Sequence, residues 1–178
     1  MSIITITVVH TVISLIGIVT GLVVAGGFAA GRRLDGWVGL FLLTTVLTNA
    51  TGFLFPLKPF LPSHVLGIIS LVVLAFVIPA LYAKHLAGGW RRVFVVGSVF
   101  ALYVNVFVLV NQLFRRLPVL LVSAPTQKEP PFVVTQLLTL ALFVWLGWAA
   151  DRGFRGEAAD VIMRARPDQP APASSSPL

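Results

Sequence analysis

The sequence predicts an all-α integral membrane bundle of about five transmembrane helices. Three observations carry that reading. Of 178 residues, 57% are hydrophobic and only 11% charged, whereas a water-soluble domain carries about a quarter charged and under half apolar residues. The mean hydropathy is +0.96. The apolar residues are also gathered into runs of roughly 20 residues, the length of helix that crosses the ~30 Å hydrocarbon core of a bilayer. These features exclude a water-soluble globule, a disordered chain and a fibrous repeat.

Taken in order, the runs are Ile3–Ala30, Trp37–Phe55, His64–Leu86, Val93–Phe114 and Phe132–Ala150. Each is bounded by residues that break a helix or stay in water. Gly31 to Gly36 separates the first two, and Pro56 to Pro62 the second and third. Gly88-Gly89-Trp90-Arg91-Arg92 precedes the fourth. The connection from Arg115 to Pro131 contains an apolar stretch, Leu117 to Val122, expected on the outer membrane interface. The first run has no basic residue from Met1 to Val9 and is too long for the core of a cleaved signal peptide.

Five spans put the termini on opposite sides. Arg32, Arg33, Lys84, Arg91, Arg92, Arg152, Arg155, Arg164 and Arg166 then share one face. Lys58, Arg115, Arg116 and Lys128 share the other. Basic loops stay in the cytoplasm, so the N-terminus is expected outside and the C-terminus inside. Residues 1–151 form the bundle. Residues 152–178 form a cytoplasmic tail, its early part a short surface helix and its Pro/Ala/Ser-rich end disordered.

With no cysteine, disulfides and cysteine-ligated clusters are excluded. The formal charge of +7 comes from basic pairs at the ends of apolar runs, which reads as topology and lipid-headgroup contact; nucleic acid is not an expected partner. Between Asp35 and Glu129 there is no acidic residue. A proton relay, an ion-coupled transporter or a carboxylate-dependent hydrolase lacks its usual groups.

Polar residues inside the runs concentrate in the outer half: His10, Thr48, Asn49, Thr51, Ser63, His64, Asn105, Asn111, Gln112 and Gln136. Helical spacing aligns them on stripes. His10, Ser14, Gly17, Gly21 and Ala25 make one, Gly97, Ala101, Asn105, Val108 and Gln112 a second, and Phe132, Gln136, Thr139, Phe143 and Gly147 a third. Small residues on such stripes let helices approach closely. The polar side chains either bond helix to helix or line a site. For a site, His10 and His64 are the candidate axial ligands of a haem b. Gln112, Gln136 or Tyr103 could bond a quinone carbonyl. His10, His64 and Glu129 could instead hold zinc, with Gln127 and Glu129 lidding the cluster. A neutral-solute channel or sensor is a further reading. His85, beside Lys84, is expected to face headgroups.

Three stretches carry a resemblance. They are Thr51-Gly52-Phe53-Leu54-Phe55-Pro56 with Pro62 to Gly67, Ser70 and Leu71; Leu102 to Gln112; and Ala124 to Phe132. Together they resemble a group of small, uncharacterised, multi-pass bacterial membrane proteins. The resemblance implies a multi-pass protein of a bacterial inner membrane and no particular activity. With no acid, base or nucleophile constellation, the residues favour a non-catalytic accessory subunit of a larger respiratory or photosynthetic complex. Its expected partners are the bilayer and another membrane protein or a second copy. The alternative is a redox protein holding haem b or a quinone near the outer surface.

Overall fold

The computed structural model describes the backbone of residues 3–55 and 62–164, and the side chains of 3–55 and 65–154. Six helices follow one another: α1 Ile3–Ala29, α2 Asp35–Gly52, α3 Pro62–Tyr82, α4 Trp90–Arg116, α5 Pro118–Ser123 and α6 Pro130–Arg164. No strand occurs among the described residues.

Side-chain pairing gives the register. His10 meets Thr51, and Gly17 meets Thr44, so α1 and α2 run antiparallel. Phe28 packs on Phe94, and Gly17 approaches Asn105, so α1 and α4 are antiparallel too. Phe132 meets Phe114 and Phe143 meets Tyr103, which sets α6 antiparallel to α4. Phe28 also touches Phe154, so α1 and α6 run the same way. The fourth helix is the centre of the bundle, in contact with α1, α2, α3, α5 and α6.

The core sits towards the basic end. Phe28, Phe94, Val95, Val77 and Ala80 are fully enclosed there. Close packing relies on absent side chains. A methyl at Gly21 would lie 2.6 Å from Leu102 Cδ1 and 2.8 Å from Phe41 Cε2, which is how α1 nests against α2 and α4. The outward faces are apolar and exposed, as with Leu138, Val144, Trp145 and Trp148 on α6.

Four of the helices are long and apolar enough to cross a membrane: Ile3–Ala29, Val65–Tyr82, Trp90–Arg116 and Pro130–Phe154. The expected second span is the exception. α2 is 18 residues long, and Asp35, Thr44, Thr45, Thr48, Asn49 and Thr51 dilute its apolar character. The last helix differs as well. It does not stop near Ala150 but runs on to Arg164, 35 residues in all from Pro130, so the first part of the expected tail is an extension of α6 and not a separate surface helix. No proline interrupts that stretch before Pro167. The expected disordered end, residues 165–178, and Lys58 lie outside the described residues.

Candidate functional site

His10 lies at the α1–α2 contact farthest from the basic end. Its Nδ1 is 2.9 Å from Thr51 Oγ1. The Thr51 hydroxyl has one proton, and it lies 2.8 Å from the Leu47 carbonyl as a donor. The threonine oxygen therefore accepts from His10 Nδ1–H, which leaves the Nε2 lone pair on the other side of the ring. The ring stands edge-on to Phe55, with centroids 5.4 Å apart. Ser14 donates back to the His10 carbonyl at 2.7 Å.

Two residues before Thr51 on α2, Asn49 uses both amide protons: Nδ2 donates to the Thr45 carbonyl at 2.8 Å and to Ser70 Oγ at 3.0 Å. This joins α2 to α3, beside the packing of Phe53 on Gly67. Gln136, on α6, donates from Nε2 to the Phe107 carbonyl of α4 at 3.2 Å. Asn105 is buried between α1 and α2 near Gly17 and Thr44. A few buried polar atoms have no hydrogen-bond partner among the described residues: Thr45 Oγ1, Thr48 Oγ1, Ser98 Oγ, Asn105 Nδ2 and Gln136 Oε1. Asn105 and Gln136 lie on different flanks of α4, which presents Leu102 to α1 and Val99, Tyr103 and Phe114 to α6.

The candidate residues are thus only partly brought together. His10 joins Thr51 and the α1–α2 seam. Gln136 belongs to the α4–α6 seam. Gln112 is exposed, whereas Asn105, two turns back on the same stripe, is buried beside Gly17. His64 is in the first turn of α3, and its side chain lies outside the described residues. Among the described residues no three His, Asp or Glu side chains gather as metal ligands. The crevice lined by Gly21, Val24, Ala25, Phe28, Phe41, Ser98 and Val99 has no room for a water molecule.

Of the two expected lid residues in the α4–α6 connection, Gln127 reaches one member of the polar cluster, Asn111, and Glu129 reaches none. Gln127, in a left-handed backbone conformation, donates from Nε2 to the Asn111 carbonyl at 3.1 Å and to its Oδ1 at 2.9 Å. Glu129 closes on its own loop, accepting from the Thr126 hydroxyl at 2.8 Å, the Thr126 N–H at 3.1 Å and the Lys128 N–H at 3.0 Å. Desolvation is the largest single influence on Glu129 and opposes its ionisation, but the hydrogen bonds together outweigh it and hold the carboxyl below the usual carboxylate range.

At the opposite end the structure shows a constellation that sequence reasoning missed. The Asp151 carboxylate lies 3.4 Å from Arg91 Nη2 and 3.4 Å from Arg92 Nε, tying α6 to the first turn of α4. Lys84 and Arg152 sit over the rings of Trp90 and Trp148. The only sequence signal for it is a lone acid at the end of the last apolar run. His85 is exposed in the turn after α3.

Comparison with protein-family models, curated proteins and solved structures finds no match.

Proposed function

We propose that this chain is a non-catalytic accessory or structural subunit of a larger membrane complex in a bacterial inner membrane. In this reading it crosses the bilayer five times, N-terminus outside and C-terminus in the cytoplasm. The observation that carries the reading is the use made of the polar side chains within the bundle. His10 with Thr51, Asn49 with Ser70 and Gln136 with Phe107 each bond one helix to another. Such bonds stabilise membrane bundles by about 0.6 kcal/mol each. Among the described residues they leave no converging set of groups to do chemistry.

The fifth crossing is α2. Its 18 residues extend about 27 Å at ~1.5 Å per residue, close to the hydrocarbon thickness. Thr44 and Thr51 return their hydroxyls to the helix's own backbone, at 2.7 Å to the Leu40 carbonyl and 2.8 Å to the Leu47 carbonyl, and Thr45 and Thr48 are buried against the bundle and not turned to its outer surface, which makes the polar composition tolerable in hydrocarbon. Six described cations (Arg32, Arg33, Lys84, Arg91, Arg92 and Arg152) lie at one end, and Arg115, Arg116 and Lys128 at the other. That imbalance supports the cytoplasmic assignment of the first group. The continuation of α6 past Phe154 gives a partner something to grip beyond the bilayer.

The test is to solubilise membranes mildly and follow the chain by native electrophoresis after crosslinking. A discrete larger species of fixed composition is expected. A lone monomer under every mild condition would overturn the subunit reading.

One observation favours a second reading, a haem b or quinone protein. Thr51 engages His10 at Nδ1, as outer-shell partners of metal-bound imidazoles do, so Nε2 is the nitrogen that would ligate. Absorption spectra of the purified protein, oxidised and then reduced, test it. Sharp reduced bands lost in His10→Ala establish haem. A featureless spectrum with no extractable quinone removes this reading.

A further inference from the structure

The connection between α4 and α6 contains an apolar helix with little of the chain against it. No residue of α5 is buried. Val119 and Val122 are each 82% exposed, and Leu117 and Leu121 are also exposed. A valine left in water forgoes the favourable transfer of its apolar surface out of water. Flexible loops can hide such residues by collapsing, but α5 is held at both ends. The Leu117 N–H donates to the Leu113 carbonyl at 2.9 Å, making the N-terminal junction continuous with α4. At the other end the Ala124 N–H donates to the Leu120 carbonyl at 3.0 Å, and Ala124 is fully enclosed. Gln127 then pins the chain to Asn111, and Glu129 staples the last turn. The outward display of Val119 and Val122 is therefore fixed by the fold.

Two further features identify what covers them. Arg115 and Arg116, both exposed, immediately precede the helix, and exposed Lys128 follows it. Apolar side chains flanked by cations at the end of a membrane-length helix match a leaflet boundary. Acyl chains take the apolar groups while guanidinium and ammonium groups reach phosphates. The apolar surface is also continuous in kind with its neighbours, since Leu113 on α4 and Val133 and Val134 on α6 are exposed at the same end.

We propose that α5 is an interfacial anchor, seated in the leaflet at the Arg115 end of the bundle with phospholipid as its occupant. This rests on the reading that α4 and α6 span a bilayer. The chain has no cysteine, so single-cysteine variants need no background removed. The full-length protein is reconstituted at low protein-to-lipid ratio into vesicles of phosphatidylcholine and phosphatidylglycerol. Nitroxide probes are attached to Val119→Cys, Val122→Cys, Thr126→Cys and, on the exposed face of α6, Leu138→Cys. Collision rates with oxygen and with a water-soluble nickel chelate are then compared. Oxygen exceeds nickel several-fold at the 119, 122 and 138 probes and falls below it at 126. Nickel-dominated collisions at 119 and 122 alone overturn the anchor and leave the spans intact. Low rates with both reagents at 119 and 122 also overturn it, since protein and not lipid then covers α5. Nickel-dominated collisions at 138 as well overturn the anchor and the spans together.

Discussion

Gly153 of α6 lies so close to the carbonyl of Ala29, at the end of α1, that a side-chain carbon there would overlap the Ala29 oxygen. Gly31, with φ of +72°, continues the contact by facing the Gly153 carbonyl. Gly153→Ala therefore has to push α6 away from α1, and overpacking of this kind costs about 1–3 kcal/mol. Gly26 on the same α1 helix meets nothing within 4 Å. Gly26→Ala is expected to be neutral, or to stabilise by up to ~1 kcal/mol through helix propensity. Thermal unfolding in detergent reads both. Equal losses in the two variants would remove the close-approach account.

Asp151 stands between two arginines with only 16% of its side chain exposed, and its partner Arg91 has 17%. Asp151→Asn leaves that guanidinium without its counter-charge, and an effect of about 1–3 kcal/mol follows from uncompensated, partly buried charge. The Arg33–Asp35 pair is far more exposed, so Asp35→Asn should cost no more than about 0.5 kcal/mol. Stability measured in parallel on the two variants checks the ranking; Asp35 outranking Asp151 contradicts it.

Asn49 and Ser70 are the polar tie between α2 and α3. A double-mutant cycle of Asn49→Ala and Ser70→Ala should give a coupling near 0.6 kcal/mol, the usual size for such bonds in membranes. A coupling indistinguishable from zero means that packing alone joins the two helices.

Glu129 gives a pH dependence with a defined sign. Its carboxyl titrates below the ordinary range in the folded chain. The support it gives the loop is complete above the ordinary value of ~4.3 and is lost as pH falls through the lower, folded value. Amide exchange at Thr126 and Lys128, corrected for its intrinsic pH dependence, should accelerate in that acidic window. Glu129→Gln should show the faster exchange already at neutral pH. Unchanged exchange in the variant would show that backbone geometry alone holds the turn.

Much of the bundle is legible in the chain. The His10, Gly17, Gly21 and Ala25 stripe does face other helices, and so does the Phe132, Gln136, Phe143 and Gly147 stripe of the last one. A 3.6-residue period needs no knowledge of the partner. The Asn105–Gln112 stripe reads equally well in sequence but divides in space, with Asn105 buried and Gln112 exposed, because periodicity reports direction around a helix and not how closely a neighbour packs along it. Asp151 and Arg91 are 60 residues apart, and only the folded register of α4 and α6 brings them together. The Gln127–Asn111 tie needed the left-handed turn at Gln127, which nothing in that side chain advertises.

The central position of α4 has a consequence for biogenesis. A nascent chain that has emitted only α1, α2 and α3 has an antiparallel hairpin with a third helix tied near Asn49 and Phe53. The surfaces of α1 and α3 that will receive Leu102 and Gly97 have no occupant yet. Closure waits for Trp90 to Arg116, and α6 can then dock in the cleft between α1 and α4. Ribosome-stalled chains should accordingly turn protease-resistant when α4 is released, with little gain from α3 before it.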